Sequence, residues 1–325
     1  MSAVDEPALR TLQLVTTPWP FFDQQVRTLE RNGVSCTVVQ VPGTKGDRSI
    51  GDYLRFEAQV LRSAVGSDYD LVQANYGLTA PAAMTQPGRP VVVWYWGTEL
   101  VGRYARLNRA CAALADAVIV MSDEMADRID RSCHVVRHGV DTERFRPLPS
   151  EEARAEVGWA DDSKHVLFPY DPSRTIKNYP RAESVVQAAD DEIDADVELQ
   201  VVYGVPHERI PVYMNAADAL LLTSTSEGSP NAVREALACN LPVVSVDVGD
   251  VGERIDGVDN CHVCTSDDQL VASLVDVLAS DERSNGRERT DEFSVERMTQ
   301  DLLAVYDDVL GGVPGRATPR EANVR

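Results

Sequence analysis

Short apolar runs of strand length alternate with stretches of helical length along most of this chain, and the alternation limits the folds open to it. In the first half such runs lie at residues 12–15, 34–39 and 91–95, and in the second half they lie at 165–168 and 220–222. Strands that are mostly apolar are typical of parallel sheets, because right-handed crossovers cover both faces of the sheet with helices. The sequence therefore predicts an α/β protein with doubly wound parallel sheets.

The length of the chain favours two domains. A chain of 325 residues of which 43% are hydrophobic can fill two cores of ordinary size. The strand and helix alternation is interrupted between residues 147 and 162, so we expect a first domain over 1–147 and a second over 148–311. A helix is expected near 294–310. Residues 312–325 contain turn formers and few apolar side chains, which predicts a disordered tail.

The segment after the apolar run at 220–222 combines a helix start with a site for an anion. Ser229 and Pro230 are of the types preferred at the N-cap and in the first turn, so we predict a helix from about Pro230. The first amides of such a helix, near Asn231, lack intrahelical partners and carry partial positive charge. A phosphate therefore fits at this helix start, beside Gly228 and the three residues that follow it.

Two glutamates flank the helix start, with seven residues between them. Glu227 precedes the phosphate site and Glu235 lies within the second turn of the helix, so the two carboxylates cannot form a close dyad. Because carboxylates accept hydrogen bonds from vicinal hydroxyls, the layout favours a ligand that carries hydroxyl groups on both sides of a phosphate. A nucleotide sugar is such a ligand. A capped core helix with two solvated acids is the simpler alternative.

The segment EGSPNAVRE, from Glu227 to Glu235, resembles the two-glutamate signature of the retaining glycosyltransferases of family 4, in glycosyltransferase group 1. This resemblance extends over residues 10–310 and implies the GT-B fold, in which two Rossmann-like domains face a central cleft. It implies an acceptor-binding first domain, a second domain that binds the nucleotide sugar, and a closing helix that packs back on the first domain. It also implies that Glu227 contacts the transferred sugar and that Glu235 binds the ribose.

Two cations follow the strand predicted at 165–168. Arg174 and Lys177 lie in the loop after this strand, at the carboxyl edge where open parallel sheets bind ligands. A guanidinium beside an ammonium suits a diphosphate whose leaving charge needs stabilisation. The family uses an arginine and a lysine of this loop for that purpose, so the resemblance assigns both residues a catalytic role. The chain has only three lysines, which makes this one informative, although loop cations are commonly just solvated charge.

The resemblance places the nucleobase near the turn that follows the strand predicted at 197–203. Tyr203, Gly204 and Val205 would hold the base by stacking and by backbone hydrogen bonds. An aromatic residue at the end of a strand is, however, more often part of the core.

The first domain departs from the family pattern where the transferred sugar should lie. Trp96 stands where the family often has a histidine that assists at the sugar, and we expect Trp96, Gly97 and Glu99 to line a sugar or acceptor pocket instead. Retaining transfer by a same-face route needs no side-chain base, because the leaving phosphate can take the acceptor's proton. Transfer therefore survives the loss of the histidine, while the identity of the donor sugar stays open.

The charge of the chain is −21, and it is unevenly distributed. Residues 1–150 contain 16 basic and 17 acidic residues, whereas residues 151–325 contain 15 basic and 35 acidic residues. An acidic surface with few lysines resembles proteins of a salt-rich cytoplasm, and it excludes nucleic acid as a partner. A nearly neutral first domain suits contact with an acidic membrane surface. Arg103, Arg106 and Arg109 could make that contact, or they could form a solvated helix face.

The chain lacks a run of apolar residues long enough for a membrane span, and no apolar segment follows Met1. We therefore expect a cytoplasmic protein with peripheral contact at the inner face of the membrane. Six cysteines suit a reducing compartment. Cys261 and Cys264 form a lone pair, which favours an ordinary strand over a metal site.

These features predict a retaining glycosyltransferase that moves a sugar from a nucleoside diphosphate to a glycan, lipid-linked or protein-linked acceptor. No metal and no cofactor are expected, because no aspartate pair lies at the phosphate loop. A glycoside hydrolase is disfavoured, since the acids serve a phosphate-bearing site. Two alternatives remain open at this point. One is a catalytically silent subunit that binds nucleotide sugar, and the other is a nucleotide-sugar epimerase.

Overall fold

The structure is a computed structural model that describes residues 9–44 and 46–311. The chain divides into two compact units. The first unit runs to His138 and resumes at Val295, and the second unit comprises Gly139–Ser294. The tail predicted to be disordered, residues 312–325, lies outside the described residues.

The first unit contains a parallel sheet of six strands in the order β2-β1-β3-β4-β5-β6. Its strands are β1 Leu9–Val15, β2 Val34–Gln40, β3 Leu71–Asn75, β4 Val91–Trp94, β5 Ala117–Val120 and β6 His134–Val135. The helices that connect them are α1 Pro20–Arg31, α2 Ile50–Ala64, α3 Ala80–Thr85, α4 Ala105–Leu114 and α5 Asp123–Ala126. The strands β3, β4 and β5 are buried throughout, because helices cover both faces of the sheet.

The second unit contains a parallel sheet of five strands in the order β11-β10-β9-β7-β8. Its helices are α6 Ser150–Val157, α7 Tyr179–Asp190, α8 Ile210–Ala216, α9 Asn231–Ala238, α10 Val251–Ile255 and α11 Asp267–Ser280. Its strands are β7 Lys164–Phe168, β8 Val197–Val201, β9 Ala219–Leu222, β10 Val243–Val246 and β11 His262–Cys264. The doubly wound parallel sheets predicted from the sequence are therefore confirmed.

Both sheets have a topological switch point, where the order of the strands reverses. The reversal lies between β1 and β3 in the first unit and between β7 and β9 in the second. The loops at the carboxyl ends of these strands diverge there, and open α/β sheets bind their ligands in the crevice that results. In the second unit, the loop after β7 carries Arg174 and Lys177, and the loop after β9 carries Glu227.

The last described helix, α12 Val295–Gly311, packs against α1 in the first unit. A buried polar network joins it to the sheet. The hydroxyl of Tyr306 donates to Oε1 of Gln73, and Nε2 of Gln13 lies 3.2 Å from the same hydroxyl. Asn75 Nδ2 donates to Gln13 Oε1 at 2.9 Å. Because all four side chains are fully buried, each of these bonds replaces one that water would otherwise make.

Replacing Tyr306 by Phe should lower the free energy of unfolding of the first unit by about 1–3 kcal/mol, because the change leaves the buried Oε1 of Gln73 without this donor and removes one of the two acceptors of Gln13 Nε2. Urea unfolding would measure the effect. Tyr104→Phe is the matched control, since Tyr104 is 45% exposed and should change stability by less than about 0.5 kcal/mol. Equal effects from the two variants would contradict a structural role for the network.

Candidate active site

Hydrogen bonds fasten the loop after β7 to the loop after β9. The hydroxyl of Thr223 donates to the carbonyls of Lys177 and Asn178, both at 3.1 Å, and the amide of Thr225 donates to the carbonyl of Ile176 at 2.9 Å. The first loop ends in the short 3-10 helix Thr175–Lys177 and in Asn178, which has a left-handed φ of 55°. These contacts bring Lys177 and Glu227 together, although 49 residues separate them in the chain.

Lys177 and Glu227 form a buried ion pair between Nζ and Oε1. Ser224 also donates its hydroxyl to Oε1 of Glu227, at 2.7 Å. Lys177 is only 4% exposed, and burial lowers the pKa of its ammonium group while Glu227 opposes this shift. The sequence predicted Lys177 at a diphosphate and Glu227 at a sugar; in this structure each neutralises the other. Arg174 lies in the same loop with its side chain exposed.

Tyr170, two residues beyond β7, is a residue of this site that the sequence analysis missed. The Nζ of Lys177 lies 3.7 Å from the centre of its ring, within the range of a cation–π contact. Burial raises the pKa of the Tyr170 phenol well above its ordinary value, and the charges of Glu227 and Glu235 add to the shift. Both glutamates are thus near this phenol. An aromatic residue at the carboxyl end of a strand was the available signal, but such residues are usually core.

Glu235 lies in the second turn of α9 and is paired with His207. Nε2 of His207 is 3.0 Å from Oε1 of Glu235, and the Glu235 side chain is only 14% exposed. His207 begins the short 3-10 helix His207–Arg209 after β8. The hydrogen bond to Glu235 raises the pKa of the imidazole. The sequence carries no local signal that assigns His207 to the site, because the contact joins the loop after β8 to α9.

The start of α9 differs from the prediction. The helix begins at Asn231, its N-cap is Pro230, and it has no side-chain capping bond. Ser229, which was predicted to cap the helix, instead donates its hydroxyl to Oδ2 of Asp250 at 2.7 Å. Asp250 and Glu253 also have the sequence spacing of a capping box at the start of α10, but Asp250 makes no capping bond there and pairs with Arg254 at 3.1 Å. The Asp250 carboxylate binds Ser229 and Arg254, so neither Ser229 nor Asp250 caps the helix that follows it.

The loop after β10 approaches the backbone of Gly228 closely. Gly249 has a φ of +57°, and a Cβ atom added to it would lie 2.3 Å from the carbonyl oxygen of Gly228. The amide of Asp250 donates to that carbonyl at 3.2 Å. Only glycine combines this close approach with the left-handed conformation. The loop that carries Glu227 is therefore held from one side by residues 176–178 and from the other by the loop after β10.

The residues predicted to hold the nucleobase form the turn after β8. Tyr203 is 55% exposed and Gly204 has a φ of +68°; β8 ends at Val201, two residues earlier than the sequence suggested. Val205 is partly buried against the core of the second unit. An exposed ring beside a turn leaves a face open for stacking, and the role of Tyr203, Gly204 and Val205 at the base stays a prediction.

In the first unit, Glu99 joins two loops. Its Oε1 accepts hydrogen bonds from the amides of Trp96 at 2.8 Å and Gly77 at 3.4 Å. Glu99 is 5% exposed, and burial raises the pKa of its carboxyl against the lowering effect of these amides. The Trp96 ring packs edge-on to Phe21, with 4.9 Å between ring centres. These contacts give Trp96 and Glu99 a structural task, and their role at a sugar, with Gly97, stays a prediction.

Within the described residues, no group of three or more histidine, cysteine or acidic side chains is arranged to hold a metal ion. Cys264 lies in β11, and the sulfur of Cys261 accepts a hydrogen bond from the amide of Val243 at 3.4 Å. Burial raises the pKa of the Cys261 thiol to about 11, which keeps it protonated. The interpretation of this pair as part of an ordinary strand and its entry loop is therefore consistent with the structure.

Comparison with known proteins identifies the family. A model described as "Glycosyl transferases group 1" matches residues 178–281, and one described as "Glycosyltransferase Family 4" matches residues 13–144. The two matches fall on the two sheets. The group 1 match begins at Asn178, the residue after Lys177, and includes Glu227 and Glu235. The chain belongs to the family 4, group 1 glycosyltransferases. The resemblance found in EGSPNAVRE is thereby confirmed.

The relatives of this glycosyltransferase are identical to it at about a quarter of the aligned residues. The lipopolysaccharide core biosynthesis mannosyltransferase LpsB of Rhizobium meliloti is 27% identical, over 60% of this chain and 66% of its own length. The D-inositol 3-phosphate glycosyltransferase of Mycobacterium marinum is 28% identical, over 79% of this chain and 68% of its own length. The chain thus spans about two thirds of the length of these relatives.

The fold of the glycosyltransferase also has solved counterparts. The crystal structure of HepE from Anabaena, in complex with UDP and glucose, has a TM-score of 0.69 and 18% sequence identity and covers 94% of this chain and 100% of that chain. At this identity the similarity establishes the fold alone. Together with the two parallel sheets, it confirms the GT-B fold that the resemblance implied.

Gly249→Ala should destabilise the second unit by about 2–4 kcal/mol, because the new Cβ atom strains the backbone and also displaces the carbonyl of Gly228. Gly257→Ala is the matched control. Gly257 has a φ of +70° and open space around its Cβ position, so it pays only the conformational cost of about 1–2 kcal/mol. Thermal unfolding would compare the two variants, and equal losses would contradict the close approach at Gly228.

Proposed function

We propose that the protein is a retaining glycosyltransferase that moves a sugar from a nucleoside diphosphate to a hydroxyl group of an acceptor. The observation that carries this proposal is the convergence at the switch point of the second sheet. There the buried pair of Lys177 and Glu227 lies beside the start of α9, and Glu235 follows in the second turn. Membership of the glycosyltransferase family supports the reaction class.

Each group has a chemical task in this proposal. Arg174 and Lys177 bind the diphosphate and stabilise the charge that develops as it leaves, helped by the first amides of α9. Glu227 accepts hydrogen bonds from hydroxyls of the transferred sugar, and Glu235 accepts them from the ribose. Gly228, Ser229, Pro230 and Asn231 form the backbone wall along the phosphates.

The buried pair also indicates how the free site stays stable. An unpaired ammonium group in this position would carry a large desolvation cost, and Glu227 and the Tyr170 ring offset part of it. When the donor binds, its diphosphate pairs with the ammonium group of Lys177 in place of Glu227. Glu227 can then turn toward sugar hydroxyls. Two resident cations supply the charge that the leaving diphosphate needs, so we propose a metal-independent reaction.

The reaction that we propose keeps the configuration at the sugar's anomeric carbon. The bond from that carbon to the diphosphate oxygen breaks, and the acceptor oxygen bonds to the carbon from the same face. The acceptor's proton passes to the phosphate oxygen that leaves. No side-chain base is required by this route, which accords with the presence of Trp96 where relatives often have a histidine.

We further propose that the acceptor is a membrane-linked glycan or lipid and that α4 contacts the membrane. Arg106 and Arg109 are exposed on α4, Arg103 is exposed two residues before it, and the sequence from 100 to 115 contains no acid. Tyr104 and Leu107, each 45% exposed, lie between these arginines. Cationic and apolar side chains on one helix are typical of segments that lie on anionic lipid surfaces. Among the described residues, no helix combines the length and apolar character needed to cross a bilayer.

The cytoplasm is the compartment that we propose. All six cysteines are free thiols, which suits a reducing environment. Nucleotide sugars and the inner leaflet are both accessible from that side. The acidic second half of the chain favours activity in concentrated salt, so assays should include it.

Incubating the protein with a panel of UDP, GDP and dTDP sugars should reveal one donor from which nucleoside diphosphate is released. Glu227→Gln should lower this release by about 100-fold or more, because the carboxylate that orients the sugar is lost. Glu151→Gln, an exposed acid at the start of α6, is the matched control and should retain full activity. NMR of the transferred sugar should show retained anomeric configuration.

Three outcomes would contradict this account. Tight binding without donor turnover, unchanged in Glu227→Gln, would indicate a silent binding subunit. Conversion of the donor's sugar without any acceptor would indicate an epimerase. Inverted anomeric configuration would exclude the same-face route.

Replacing Arg103, Arg106 and Arg109 by Gln should weaken binding to vesicles that contain anionic phosphatidylglycerol by at least about tenfold, since each arginine near such a surface contributes about 1 kcal/mol. Co-sedimentation at moderate salt would measure it. Replacing the exposed Arg27, Arg31 and Arg62 by Gln is the control of equal charge. Equal losses in both triple variants would leave only a general charge effect and refute a docking role for α4.

A further inference from the structure

His207 is a partner of a site acid that the proposed reaction does not yet use. Its Nε2 lies 3.0 Å from Oε1 of Glu235, and its side chain is 27% exposed. The contact joins the loop after β8 to the second turn of α9. A bond between separate elements restricts both side chains, so it determines which oxygen of Glu235 faces away from the imidazole.

The position of the His207 ring is itself supported. The ring of Phe145 packs against it with 5.4 Å between ring centres. Arg287 holds the segment that carries Phe145, because its guanidinium donates to the carbonyls of Thr142, Phe145 and Ala238, each at 2.9 Å. Since Ala238 is the last residue of α9, one half-buried cation ties the support of His207 to the helix of Glu235.

The charges around His207 favour its protonated form. Glu235 faces it from α9, and Glu208 is its neighbour in the chain, whereas Arg144 opposes protonation from the segment that precedes Phe145. The net effect raises the pKa of the imidazole above its ordinary value, with the hydrogen bond to Glu235 as the largest cause. The imidazolium fraction at neutral pH is therefore larger than for a free histidine.

We propose that His207 is a positioning residue for the donor nucleotide, which holds Glu235 so that its second carboxylate oxygen meets the ribose hydroxyls. The proposal rests on the function proposed above, in which Glu235 binds the ribose. A carboxylate that is held in one orientation loses less side-chain entropy when the donor binds. His207 is not required to touch the donor, so it acts through Glu235.

This role makes donor binding depend on pH. The imidazolium holds the carboxylate more firmly than the neutral imidazole does, since a charged donor roughly doubles the strength of a hydrogen bond. The protonated state also adds positive charge near a ligand that carries a diphosphate. Donor affinity is thus greatest below the pKa of His207 and falls as the pH rises through it.

The test measures the dissociation constants of UDP-glucose and GDP-mannose by calorimetry between about pH 5.5 and about pH 8.5, a range that brackets the ordinary pKa of histidine. Sugar-linked diphosphates do not change charge in this range, so the protein alone titrates. The wild type should lose about fivefold in affinity for its donor from the lower to the higher pH. His207→Gln, whose amide can still donate to Glu235, should bind with little dependence on pH.

His207→Ala removes the bond entirely and should weaken donor binding about tenfold at the lower pH, with kcat at saturating donor unchanged. His262→Gln is the matched control, a half-buried histidine in β11, and should behave as the wild type.

A nucleotide sugar with 2′,3′-dideoxyribose separates positioning from packing. Its affinity should be the same in the wild type and in His207→Ala, because it has no hydroxyl for Glu235 to accept.

The outcomes distinguish this inference from the function on which it rests. If the wild type binds no nucleotide sugar, the proposed function itself fails. If the wild type prefers ribose to dideoxyribose but His207→Ala binds the donor equally well, only the role of His207 fails. Equal weakening of ribose and dideoxyribose ligands in His207→Ala would overturn positioning in favour of packing, as would a pH profile in His207→Gln identical to that of the wild type.

Discussion

The contact between the loops after β7 and β9 is the constraint on which the site depends. Thr223 and Thr225 bond to the backbone of residues 176–178, and these bonds bring a buried ammonium group against Glu227. A buried ion pair is stable only when its geometry is good and its remaining hydrogen bonds are satisfied. Ser224 and the Tyr170 ring supply that support, so the pairing of charges and the closing of the loops stabilise each other.

Each acid that family resemblance assigns to the donor already has a cationic or hydrogen-bonding partner in the free protein. Lys177 pairs with Glu227 and His207 pairs with Glu235. Such partners lower the cost of keeping two carboxylates in a largely buried site of a strongly acidic chain. A ligand must therefore replace some of these contacts with its own when it binds. Residues whose contacts are replaced in this way are suited to control affinity and specificity.

Local sequence signals were sufficient for the strands and for most helices, because short, mostly apolar runs bounded by turn residues are typical of the strands of a buried sheet. They placed β2, β7 and α12 within one residue at each end. They failed at the caps of α9 and α10, where Ser229 and Asp250 bond to each other and not to the helix amides in front of them. A local preference for capping loses when a partner from another loop offers a stronger bond.

From its sequence alone this protein could be assigned two parallel α/β sheets, a family, and the acids and cations of a candidate donor site, since strand periodicity and the spacing of Glu227 and Glu235 are properties of neighbouring residues. Only the tertiary structure decided which of these groups touch. The pairing of Lys177 with Glu227 and the bond from His207 to Glu235 join separate elements, and the Tyr170 ring meets the ammonium group within the folded loop after β7. Such contacts depend on the order of strands in the sheet, which places distant segments side by side. The spacing of neighbouring residues in the sequence does not reveal that order.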